Sequence, residues 1–453
     1  TLQWLSWAWT ATVPDSVMAL VLIAFGVLST ALALGLEANR RGLHPAPIGP
    51  KPRLRAHPFT LVLVINALLL AVTGGWMLDT GLWLAALAGA HLAVGLAAAR
   101  VSRISREVVV GLLALGLVLA DLTFATYASG LPLVLGWALS ALPFAALLGA
   151  RTGGSSRAFD RILGRPDDEH AARVDRVLAI GGLVGQMTLA AAHTLMVDAR
   201  PDALTGALGV TASVMAAGVF ALAAWAAARL VRHPWRTGLD AVALAAVGYA
   251  TGIALEGAVL TAVFAAEALA LAELARRRND RYAAWGAGAF AALGLIHALL
   301  TLASPDALLD GLDAPLAAAA ALGAVAIALA LVARVPQAPR LLGAGAALTV
   351  LYLVSIELVT LGGPDDTGQT LLSVLWAVVG VAALIRGLRV DDRPLRRAAL
   401  ALIALTATKV FLYDLSALDS MYRVGSLIGF GLLLLFGAFA YQRVRPRARR
   451  AYS

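Results

Sequence analysis

Long apolar runs alternate with short polar gaps along the entire chain. A bilayer core about 30 Å thick needs roughly 20 apolar residues per helix. Measured against that length, the runs predict fifteen membrane-spanning helices: residues 16–36, 58–78, 80–99, 108–127, 132–150, 177–197, 204–228, 238–254, 257–275, 283–303, 314–333, 341–361, 369–386, 397–413 and 421–441. The implied fold class is all-α, a polytopic transmembrane helical bundle, with 1–453 forming one integral membrane domain. The shortest hairpins, such as Gly252 to Gly257, are the least sharply marked divisions.

The gaps are of two kinds, and they alternate. Thirty-three of the 36 Lys and Arg residues lie in the gaps at 37–57, 100–107, 151–176, 229–237, 276–282, 334–340 and 386–397 and in the tail from Arg443. The intervening gaps carry carboxylates instead: Asp79, Asp198 with Asp202, Glu256, Asp306 with Asp310 and Asp313, Asp365 with Asp366, and Asp414 with Asp419. Short loops rich in Lys and Arg stay in the cytoplasm. The pattern therefore predicts a cytoplasmic linker at 151–176, a basic cytoplasmic tail at 442–453, and carboxylate gaps facing outward. Segment 1–15, with Trp4, Trp7 and Trp9, reads either as the outer end of a helix that starts before Thr1 or as an interfacial aromatic anchor.

Composition sharpens the class. With 60% hydrophobic and 14% charged residues and a mean hydropathy of +0.82, the chain falls outside the soluble range. A net charge of +9 would suit nucleic acid, yet each basic cluster sits beside a helix end and is explained by topology, so no nucleic-acid partner is expected. Membrane lipids are the expected partners, and the tail arginines can touch anionic headgroups. Cysteine is absent, which removes disulfides, thiolate metal sites and cysteine nucleophiles.

Three hairpins resemble one another when their second helices are aligned. Leu135-Gly136-Trp137-Ala138-Leu139-Ser140-Ala141-Leu142 parallels Val263-Phe264-Ala265-Ala266-Glu267-Ala268-Leu269 and Leu375-Trp376-Ala377-Val378-Val379-Gly380-Val381. The interval is four helices, so an internal four-helix repeat is expected, with sixteen spans in four repeats if a helix precedes Asp15.

An ionisable group at mid-bilayer costs about 2.5–3.5 kcal/mol, so those inside spans are the candidates for chemistry. They are Asp121, Glu267 and Glu357, with His91, His193 and His297. A carboxylate facing a wet cavity carries a proton or holds a cation, whereas one facing another helix only makes packing hydrogen bonds. No metal-ligand spacing, phosphate loop, dinucleotide fingerprint or nucleophilic relay is present, so no catalytic set, metal or cofactor is expected.

The densest polar stretch is 409–423, between the last two spans. Lys409 and Arg423 break the inside rule, as does Arg200. Pairing of Lys409 with Asp414 and of Asp419 with Arg423 would neutralise the violation, with Asp419 capping the final helix. The sharper alternative is an anion held by Lys409 and Arg423, with Tyr422 alongside.

Together with Gln369-Thr370-Leu371-Leu372-Ser373-Val374-Leu375-Trp376-Ala377, Ser426-Leu427-Ile428-Gly429-Phe430-Gly431-Leu432 and Tyr441-Gln442-Arg443, this hairpin resembles a bacterial family of predicted membrane proteins, domain of unknown function 2339. The resemblance implies inner-membrane residence and no known catalytic role. The family commonly has Trp-Ala-Leu-Glu in its middle helices, where this chain has Trp137-Ala138-Leu139-Ser140. Three functions are weighed: a transporter or flippase-like protein acting on a small-molecule or lipid-linked envelope component, a non-catalytic scaffold or assembly factor, and a membrane-embedded glycosyltransferase using Asp306, Asp310 and Asp313. The last three more simply keep a short loop solvated.

Overall fold

The computed structural model describes residues 14–43, 58–78, 81–101, 104–151, 160, 169–205, 210–336, 338, 341–363 and 366–410, with isolated positions between 428 and 439. Among them there is no strand. The helices are α1 (Asp15–Leu43), α2 (Pro58–Met77), α3 (Gly81–Ala98), α4 (Arg106–Tyr127), α5 (Leu131–Arg151), α6 (Glu169–His193), α7 (Val210–Leu230), α8 (Trp235–Ala254), α9 (Gly257–Arg278), α10 (Arg281–Thr301), the short α11 (Ala307–Asp310), α12 (Pro315–Val332), α13 (Leu341–Gly362), α14 (Asp366–Arg389) and α15 (Arg393–Lys409).

Twelve of these described helices are long and apolar enough to cross a bilayer. α2 contributes the shorter apolar stretch Val62–Gly74, and α15 has 17 residues with Arg393, Arg396 and Arg397 in its opening turns. The expected span at 421–441 lies outside the described residues except at scattered positions. α6 starts at Glu169, well before the expected residue 177. The early start has a physical basis: Glu169 suits the positive end of a helix dipole, and Asp175 is buried in an ion pair with Arg106 of α4. The Arg106 guanidinium grips that carboxylate twice, Nε to Oδ1 at 2.6 Å and Nη2 to Oδ2 at 2.8 Å.

Helix ends follow local chemistry. Asn279 closes α9 in the left-handed conformation, φ 53°, and Asp280 then caps α10 by accepting from the backbone N–H of Tyr282 and Ala283. Asp391, φ 56°, and the N-cap Asp392, which accepts from Leu395 N–H, play the same parts between α14 and α15.

The chain divides into two compact units, Thr1–Ala254 and Leu255–Ser453. In the first, α3 packs along α4, α5 along α6 and α7, and α7 along α8. In the second, α9 packs along α10 and α12, α12 along α13, and α14 along α15. The buried faces are made of small residues: Ala138, Ala141, Ala145, Ala224, Ala227 and Ala228 are fully buried, while Leu300, Leu316 and Leu361 are exposed. This arrangement suits lipid, where close backbone approach replaces the hydrophobic driving force. Backbone meets backbone at Gly149 of α5, where a Cβ would fall 2.0 Å from the Leu230 carbonyl oxygen of α7.

Candidate functional site

In the first unit, polar side chains from α4, α5 and α6 meet inside the bundle. Asp121 lies six residues before the end of α4, about 9 Å along the axis. Its Oδ2 accepts a very short hydrogen bond from the Gln186 side-chain amide of α6. The amide oxygen of Gln186 accepts in turn from Ser140 Oγ of α5 at 2.5 Å. The single Ser140 hydroxyl proton also faces the Trp137 carbonyl at 2.9 Å and is divided between two acceptors. Gln186, 3% exposed, is thus the link between Asp121 and Ser140.

Trp137 stands one helical turn before Ser140 on α5. Its indole N–H, although buried, has no acceptor in hydrogen-bonding geometry among the described residues. The indole ring meets the His193 imidazole edge-on, with centroids 5.8 Å apart and planes at 79°. His193 Nε2 stands 3.6 Å from Asp198 Oδ2, beyond hydrogen-bond distance, and neither buried atom has a hydrogen-bond partner among the described residues.

The backbone holds Asp198 in place. α6 ends in one π turn, Thr194–Asp198, closed by Ala199 N–H on the Thr194 carbonyl. Such turns insert one extra residue into a helix and recur at functional sites. Ser213 of α7 donates to the Asp198 carbonyl at 2.7 Å, and Tyr249 of α8 donates to the Ala199 carbonyl at 2.6 Å. The other Asp198 oxygen lies over Gly130, whose φ of 61° turns the chain from α4 into α5.

The remaining candidates stand apart from this cluster. His91 is buried and bonded through Nδ1 to the Leu87 carbonyl of its own helix at 2.8 Å. In the second unit, His297 of α10 is held by Thr261 of α9, Oγ1 to Nδ1 at 2.8 Å, with Thr301 Oγ1 3.4 Å from Nε2. Glu267 is half-buried on α9. Glu357 on α13 has a buried Oε1 with no hydrogen-bond partner among the described residues. Two residues before it, Ser355 Oγ accepts the Trp376 indole N–H of α14 at 2.8 Å.

Lys409 turns toward α14. Its Nζ donates to the Gln369 carbonyl at 3.0 Å and to Ser373 Oγ at 2.9 Å, while the Gln369 amide donates to the Leu308 and Leu309 carbonyls. Gln369 therefore ties α15 to the α11 turn through α14. Asp414, Asp419, Tyr422 and Arg423 lie outside the described residues.

The comparisons with known proteins bear on this second unit. Residues 307–444 match the family model described as Predicted membrane protein (DUF2339). The DUF2339 match runs from the start of α11 across Gln369, Ser373, Trp376 and Lys409, and so begins well before the Gln369 stretch where the resemblance is readable by eye. The Asp121 cluster lies before the matched residues. No curated protein and no solved structure matches the chain.

Asp121 and His193, two of the residues expected from sequence, thus come to one cluster. Gln186, Trp137, Ser140 and Asp198 were not among those candidates. Gln186 carried a usable signal, since an amide deep inside an apolar run requires a polar partner. Asp175 and Glu37, both buried, were hidden because each lies just beyond an expected span boundary.

Proposed function

We propose that this chain is a multi-pass transport protein of the bacterial inner membrane, transporter or flippase-like, acting on a cell-envelope component, with Asp121, Trp137, His193 and Asp198 on the path of a proton or small cation. One observation carries the reading: among the described residues, Trp137 Nε1, His193 Nε2 and Asp198 Oδ2 are buried near one another without hydrogen bonds, with His193 and Asp198 only at ion-pair distance. A structural network closes such groups on each other, because an unmade buried hydrogen bond costs about 1–3 kcal/mol. A pathway keeps them available to a passing ion. The basic gaps, including 151–176 and the tail, are read as cytoplasmic.

The four-helix repeat belongs to the same reading. It is supported by α5 packing on α6 and α7 as α9 packs on α10 and α12, and by Trp137, Phe264 and Trp376 each falling two residues before an exposed position on their helices. Transporters are commonly built from such repeats. An envelope scaffold is the second reading, favoured by the internal bonding of His91 and His297.

Reconstitution tests the proposal. Vesicles loaded with a pH-sensitive dye and given a potassium-diffusion potential should acidify faster with the protein than without it. Asp121→Asn and His193→Ala, checked for correct insertion, should abolish the difference. Flux equal to that of empty vesicles, or unchanged flux in both variants, would reject the proton path and leave the scaffold.

A further inference from the structure

The arginine-rich ends of the bundle differ in how their charge is met. Arg229 and Arg236 converge on Asp240, Arg276 and Arg277 on Glu273, and Arg106 on Asp175. Arg232 in the α7–α8 turn and Arg278 and Arg281 in the α9–α10 turn have no carboxylate partner among the described residues, and the turn between α14 and α15 leaves more charge unmet than either. It holds Arg386, Arg389, Arg393, Arg396 and Arg397 against only Asp391 and Asp392. Asp391 is used by Arg396, Nη1 to Oδ1 at 2.5 Å, and Asp392 is used as the cap of α15. Arg386, Arg389 and Arg397 are exposed and make no side-chain hydrogen bond or ion pair among the described residues; exposed Arg393 only feels the field of Asp391.

We propose that these four exposed arginines bind the phosphate headgroups of anionic phospholipids. Their position supplies the first argument. α14 is a strongly apolar span that ends at Arg389, so the arginines stand at the level where headgroups begin. Chemistry supplies the second, since a guanidinium offers paired N–H donors that match phosphate oxygens. The third is the mixed surface: exposed Ile385, Val390 and Leu400 flank the charges and suit the upper acyl chains of the same lipid. Orientation of a span requires only basic residues near its end. It does not require four exposed arginines left without a carboxylate at one turn, where the α7–α8 and α9–α10 turns leave one and two, and that surplus is available to a ligand.

The test uses the purified full chain in detergent. Phosphatidylglycerol or cardiolipin should raise its melting temperature, while phosphatidylcholine and inorganic phosphate should not. A variant with Arg386, Arg389, Arg393 and Arg397 all changed to Gln should lose that rise, and lipid retained in native mass spectrometry should fall about fivefold per arginine removed. Arg276→Gln with Arg277→Gln, where Glu273 already engages the charges, should keep the rise. If the fourfold variant fails to insert, the single changes decide by the same retention measurement. An equal rise in wild type and variant overturns the proposal, as does an equal rise with inorganic phosphate alone.

Discussion

Lys409 donates to the backbone carbonyl of Gln369 at 3.0 Å, so the ammonium that breaks the charge pattern is held by the neighbouring helix. Ser373 Oγ, at 2.9 Å, takes a second proton of the same group. Hydrogen bonds to a charged group contribute about 1.5–3 kcal/mol. Lys409→Met should therefore lower stability in detergent by about 2 kcal/mol and Ser373→Ala by about 1 kcal/mol, read from thermal melts. If Lys409→Met melts like wild type, the α14 contacts do not hold this end of α15.

Gln186 couples Asp121 to Ser140, and the coupling should be measurable. Asp121→Asn and Gln186→Leu should each destabilise the protein, and the double variant by less than their sum. Interhelical hydrogen bonds in membranes give an interaction of about 1 kcal/mol. Strict additivity would mean that the two side chains act independently.

Two glycines make a matched pair. Gly149→Ala drives a methyl onto the Leu230 carbonyl and should cost about 1–3 kcal/mol, whereas Gly181→Ala, with open space around it, should be neutral or slightly stabilising. Melting curves of the two variants check the contrast.

Asp391 gives a pH signature. The hydrogen bond from Arg396, reinforced by its charge, holds the Asp391 carboxyl below the usual carboxylate range. A lowered folded pKa adds stability that is fully present above the unfolded value of about 3.9 and is lost as pH falls through the folded value. Asp391→Asn should therefore melt slightly lower than wild type at neutral pH, and the two should converge in acid. Because the group is fully exposed the difference should be small, and parallel curves throughout the titration would reject the link.

Orientation is tested directly by labelling, and the absence of native cysteine makes the background clean. Single cysteines at Ser155 and Ser453 should resist a membrane-impermeant thiol reagent in intact cells. Ready labelling of both would invert the topology.

The fold was largely legible because lipid makes hydropathy a direct ruler: most expected spans coincide with described helices to within a few residues. Ends were less legible. Asp175 looked like part of a polar linker because its partner Arg106 is 69 residues away, and no local pattern encodes that pairing. The candidate site was half legible. Asp121 and His193 stood out as ionisable groups in apolar runs, whereas Trp137 was marked only by the repeated stretch and the family motif, and its ring contact with His193 joins elements 56 residues apart. The π turn that sets Asp198 against His193 leaves no trace in apolar periodicity.

The alanine faces between α5 and α7 have a mechanical consequence. A methyl group has no side-chain torsion to change, so a small slide of one helix along the other breaks no interlocked rotamers and costs no side-chain entropy. Elsewhere in the same core Leu147, Leu148 and Phe220 interlock, and at Gly149 the α5 backbone meets the Leu230 carbonyl directly. The register between α5 and α7 is therefore set by those few points, while the alanine stretches between them add closeness without specificity.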